Sequence, residues 1–132
     1  MTMDYTGKNK REFFRYGYEK PVHYTQVSLA EDRSVASKLI DAVSKNLSAS
    51  GILFTSRYMP EISSILALDL DYRTTSICKE IEGRVLILND KLFGKVVRIE
   101  DADNGLYDVG VAFIKKSEEL AKDIKVIIKD GK

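Results

Sequence analysis

Leu106-Tyr107-Asp108-Val109-Gly110-Val111-Ala112-Phe113-Ile114 sets Val109, Val111 and Phe113 in alternation with Asp108, Gly110 and Ala112. Successive side chains of a strand point to opposite faces, so this period of two opposes an apolar face to a small or polar one. The stretch reads as a buried strand, entered through the turn residues Asp103-Asn104-Gly105. Working back along the chain, residues 83–89 and 94–100 are rich in Val, Leu and Ile and flank Asn89-Asp90-Lys91, a hairpin signal. Before them, residues 65–72 alternate again: Leu66, Leu68, Leu70 and Tyr72 form an apolar face, and Ile65, Ala67, Asp69 and Asp71 the other. A half-exposed strand explains the two aspartates without an acid pair or a metal site.

Further upstream, residues 39–45 and 51–56 read as strand segments joined or kinked at a turn over 46–51. From Pro21, Val22, Tyr24, Gln26 and Ser28 fall on one side and His23, Thr25, Val27 and Leu29 on the other. The charged, small-residue stretch 31–38 reads as a loop. Beyond the last strand, Ser117 is placed to cap a helix whose first turn carries Glu118 and Glu119. Leu120, Ile124, Ile127 and Ile128 then recur at helical spacing. The pattern predicts an all-β fold: a small antiparallel β-barrel of six or seven strands with a C-terminal helix, closing on itself and so removing its edges. Residues 1–9, polar and without periodicity, predict a flexible N-terminal arm, and residues 10–132 a single barrel domain.

Twenty-one basic residues against 20 acidic give a formal net charge of +1, so any anion site must be local. No polymer of nucleic acid and no membrane is expected as a partner. The one cysteine, Cys78, forms no intrachain disulfide, and no leader or long apolar run stands out, so a cytoplasmic location is expected. His23 is the only histidine. With no nucleophile beside a base, no metal-ligand spacing and no phosphate-cradling glycine loop, the chain is not expected to be an enzyme, to carry a cofactor or to hold a metal.

Two short clusters depart from a generic barrel. Lys10-Arg11-Glu12-Phe13-Phe14-Arg15 forms the densest basic stretch with Lys8, and Asn46-Leu47-Ser48-Ala49-Ser50-Gly51 follows one strand later. Arginine offers a rigid fork matching paired acceptors such as guanine O6 and N7 or two phosphate oxygens. Asn46 and Ser48 supply short polar groups, and Gly51 permits a close approach of backbone or a positive φ. Taken singly, the arginines are compatible with a solvated arm, Phe13 and Phe14 with core anchors, and 46–51 with a simple turn.

Taken together, Arg-x-x-x-Arg (Arg11, Arg15) followed by Asn-x-Ser-x-x-Gly (Asn46, Ser48, Gly51) resembles the paired motif of the PilZ domain family. Gly94-Lys95-Val96-Val97-Arg98 and Gly110-Val111-Ala112-Phe113 are similar to its late strands. The resemblance implies a six-stranded barrel that binds the bacterial second messenger cyclic di-GMP as a receptor, without catalysis, and signals to a downstream protein partner. It implies that Arg11 and Arg15 hold phosphate and the O6/N7 edge of guanine, that Asn46, Ser48 and Gly51 form the opposing wall, and that Lys10 adds a weaker contact. Position 46 is asparagine where aspartate is also frequent in the family, Lys10 stands where many relatives have arginine, and the stretches 15–46 and 73–93 look long. The expected mechanism is ordering of residues 5–15 over the barrel mouth by the ligand. The rival expectations are a PilZ-like protein-interaction module without ligand binding and a small nucleic-acid-binding barrel stacking bases on its 7 tyrosines and 5 phenylalanines.

Overall fold

The computed structural model describes residues 20–27 and 39–130. The strands are β1 (Pro21–Val27), β2 (Ile40–Leu47), β3 (Gly51–Ser56), β4 (Ile65–Asp69), β5 (Ile87–Leu88), β6 (Lys91–Asp101) and β7 (Tyr107–Phe113). Helix α1 (Cys78–Arg84) lies between β4 and β5, and α2 (Glu119–Asp130) ends the described chain. The sheet order is β4-β1-β2-β3-β7-β6-β5, every pairing is antiparallel, and β4 also pairs with β6. That last pairing closes six strands into a barrel and leaves β5 as an extra strand beside β6. The arm expected at 1–9, Lys10, Arg11, Arg15 and the loop expected at 31–38 lie outside the described residues.

The alternation read at Leu106–Ile114 is realised in β7. Val109, Val111 and Phe113 are buried inside the barrel, while Ala112 is exposed and Asp108 and Gly110 are half-buried. They join Val22, Tyr24, Phe54, Leu66, Leu68 and Val96 in an interior cluster, where Tyr24 and Phe54 pack with ring centroids 5.1 Å apart. Fully burying side chains of this size contributes roughly 1.5–3 kcal/mol each, which makes this interior the main source of the fold's stability.

Four sequence expectations are corrected. Residues 83–89 are not a strand: Ile77, Ile81 and Val85 recur every fourth residue, Ile81 is buried, and this helical face wins over the β-branched composition. Past an isolated bridge from Val85 to Lys115, only Ile87–Leu88 form a strand, and Asn89 and Asp90, both at positive φ, make the two-residue turn that pairs Leu88 with Lys91. The next strand therefore starts at Lys91 and not at Gly94. Residues 65–72 are strand only to Asp69, and their second face is exposed only at Asp69 and Asp71: Ile65 and Ala67 are buried in a second cluster with Phe93, Leu86, Ile114, Ala121 and Ile124. This cluster is the seat of α2, whose apolar stripe covers the outside of β4 and β6. Helix α2 begins at Glu119, two residues past Ser117; the Glu118 carboxylate instead accepts the Lys115 backbone N–H at 3.0 Å.

Candidate functional site

The tight connection from β2 to β3 is built by Ser48. Its backbone N–H donates to the Gly51 carbonyl at 2.9 Å, and its Oγ accepts the N–H groups of Ser50 and Gly51 at 3.2 and 3.3 Å. The hydroxyl thus replaces a backbone acceptor inside the turn, the local chemistry for which serine is suited. The Ser50 carbonyl then accepts the Phe113 N–H at 2.9 Å, fastening the turn to the end of β7.

Gly51 is required here for a reason internal to the barrel. A Cβ at this position would stand 2.3 Å from the Val111 carbonyl oxygen, so only glycine lets β3 and β7 approach this closely. Its φ is not positive, and the close backbone approach is to β7.

Two β-bulges decide which side chains face the same way. In β2 the inward residues are Ala42, Ser44 and Leu47; the register shifts between Ser44 and Asn46, with Lys45 the extra residue. Strict alternation from Ala42 and Ser44 would carry Asn46 into the barrel, and the bulge carries it out. In β6 the register shifts between Val96 and Arg98, with Val97 extra, so Val96 points inward and Arg98 outward. Adjacent pairings then align Asn46 with Leu53, Leu53 with Gly110, and Gly110 with Arg98. This row crosses the outer face of β2, β3, β7 and β6, and strands about 4.8 Å apart place its ends roughly 14 Å from each other.

The row is the base of a concavity of about 410 Å³, lined also by Ser48, Ser50 and Ala112. That volume lies within the ordinary span of small-ligand clefts, roughly 300–1,000 Å³. Gly110 makes it concave: a Cβ there would meet only Arg98, its Cβ at 3.5 Å and its carbonyl oxygen at 3.8 Å, both ordinary contacts, so no packing demand accounts for the missing side chain. At one end, Asn46 Oδ1 is shut off from solvent with no hydrogen-bond partner among the described residues. An acceptor in that state costs roughly 1–3 kcal/mol, a cost that is removed if the amide turns its oxygen toward an N–H donor in the cleft that Asn46 lines. At the other end, Arg98 is 62% exposed, with Nε 3.7 Å from Glu100 Oε2, too far for a good hydrogen bond. The next row on the same face is acidic and already engaged at Asp108, which accepts from Thr55 Oγ1 at 2.9 Å and from Lys45 Nζ at 3.2 Å.

Of the residues expected from sequence, the structure brings Asn46, Ser48 and Gly51 together at one rim, with Gly51 serving the strand packing. Lys10, Arg11 and Arg15 lie outside the described residues. Sequence reading missed Leu53, Gly110 and Arg98 as site components, because their alignment depends on register and on a bulge that alternation does not announce. Comparison of the chain with models of known protein families and with curated proteins finds no match. No helix among the described residues is long and apolar enough to cross a membrane.

Proposed function

We propose that the chain is a receptor for cyclic di-GMP that binds the ligand on the outer face of β2, β3, β7 and β6 and signals to a partner protein. The observation that carries this reading is the orphaned Asn46 Oδ1 at the rim of a cleft floored by Leu53 and Gly110. Guanine offers adjacent N–H donors on its Watson–Crick edge and a flat apolar face, which match an unanswered amide oxygen beside a floor made by the Leu53 side chain and the bare backbone of Gly110. The Ser48 turn fixes that rim, and Arg11 and Arg15, with Lys10 beside them, supply the cations that two phosphates and the guanine O6 and N7 acceptors require.

A polymer of single-stranded nucleic acid is the weaker reading, because the net charge is +1 and an acidic row containing Asp108 and Glu100 borders the cleft. The role is binding without catalysis and without a cofactor. Calorimetric titration of the full chain with cyclic di-GMP, with GTP and cyclic di-AMP as controls, tests it. Saturable binding of cyclic di-GMP in preference to both controls is the expected result; no heat with cyclic di-GMP, or equal binding of GTP, overturns the reading.

A further inference from the structure

We infer that Arg98 is a ligand-reading residue, donating its guanidinium fork to O6 and N7 of the second guanine, and that Glu100 competes for it in the unliganded protein. The inference rests on the cyclic di-GMP reading above and deepens it. Asn46 and Arg98 are the two polar ends of one row, with Leu53 and Gly110 between them. The middle of the row sits in a sheet whose backbone N–H groups are taken up by strand pairing, so it has little to offer a phosphate. It suits the face of a base. The ends differ in kind: Asn46 holds a buried acceptor without a partner, reached by a ligand when the amide turns toward the cleft, and Arg98 presents donors.

One guanine carries both donors and paired acceptors, but within a few ångströms, whereas the ends of the row are roughly 14 Å apart. Two bases in one ligand satisfy both ends at once. The bulge at Val97 is what makes this possible, since alternation through Val96 would otherwise turn Arg98 inward. The contact to Glu100 at 3.7 Å, between side chains each 62% exposed, is weak enough to be exchanged for a ligand.

Calorimetry on the full chain compares wild type, Arg98→Ala, Arg98→Lys and Glu100→Gln with cyclic di-GMP and with its 7-deazaguanine analogue, which lacks N7 and keeps the phosphates. Arg98→Ala is expected to weaken cyclic di-GMP binding at least tenfold, Arg98→Lys to recover only part of that loss, and Glu100→Gln to tighten binding a few-fold. The analogue is expected to bind wild type more weakly and to lose less on Arg98→Ala than cyclic di-GMP does, since only O6 remains for the fork. Unchanged affinity in Arg98→Ala, or losses that simply multiply between variant and analogue, would overturn the assignment while leaving the receptor reading intact. Absence of binding by wild type would overturn that reading first and this inference with it. Because Arg98 is solvent-facing, its variants should keep the wild-type unfolding midpoint, which separates lost contact from lost fold.

Discussion

Asn46 holds a neutral acceptor in a place where nothing among the described residues answers it. Asn46→Asp puts a carboxylate there, and an ionised group shielded from water without a partner is more costly than an amide. The unliganded variant is therefore expected to lose about 1–2 kcal/mol of stability, read as a lower unfolding midpoint. With cyclic di-GMP the same carboxylate accepts guanine N–H groups in charge-assisted bonds, about twice as strong as neutral ones. The variant should then bind more tightly and show a larger ligand-induced rise in midpoint than wild type; weaker binding would mean that position 46 faces something other than N–H donors. At this scale the sequence was readable for chemistry and opaque for cause. Asn46 and Ser48 announce short polar groups, but the serine works inside its own turn and Gly51 answers to the Val111 carbonyl, relations that exist only once β7 is paired.

Glycines on neighbouring strands separate the packing of the elements from the making of the site. Gly51→Ala drives a Cβ to 2.3 Å from a backbone oxygen that cannot move without breaking the β3–β7 ladder, and is expected to destabilise by about 2 kcal/mol or more. Gly110→Ala meets nothing closer than 3.5 Å and should fold normally, while Gly110→Leu, pointing into the same opening, should fill the cleft and abolish ligand binding with the fold retained. Circular dichroism with chemical denaturation checks stability, and calorimetry checks binding; a Gly110→Leu protein that binds at wild-type affinity would place the ligand elsewhere. Period-two alternation made β7 and β3 legible because each has one face in the core. It failed at residues 83–89, where Ile77, Ile81 and Val85 also satisfy a helical period, and at Ile65 and Ala67, whose covering partner α2 lies some fifty residues away in sequence. The bulges at Lys45 and Val97 have no marker in composition, so the face presented by Asn46 and Arg98 could not be read in advance.

Closure of six strands gathers the buried side chains into one interior, and the titration of that interior bears on the stability of the whole molecule. Tyr24 and Tyr72 are buried, and burial raises both phenol pKa values above about 10, the ordinary tyrosine value. The folded state thus holds these protons more tightly than the unfolded chain, so their contribution is fully present below pH 10 and declines as pH rises past the unfolded value toward the folded ones. Denaturation midpoints should be level on this account from neutral pH to about pH 10 and fall beyond it, with a smaller fall in Tyr24→Phe. The receptor reading proposed above also assigns the signal to residues 5–15. On that reading, a ligand held by Arg11 and Arg15 together with Asn46, Ser48 and Gly51 would fix residues 5–15 against the outer face. Truncating either arginine to alanine is expected to cost on the order of 2–4 kcal/mol of cyclic di-GMP binding, because a charged contact and its fork geometry vanish together. The unfolding midpoint should hardly move. Hydrogen exchange at residues 5–15 should slow in saturating ligand for wild type and remain unchanged in Arg15→Ala; equal exchange with and without ligand in wild type would mean that the signal leaves the molecule by another surface.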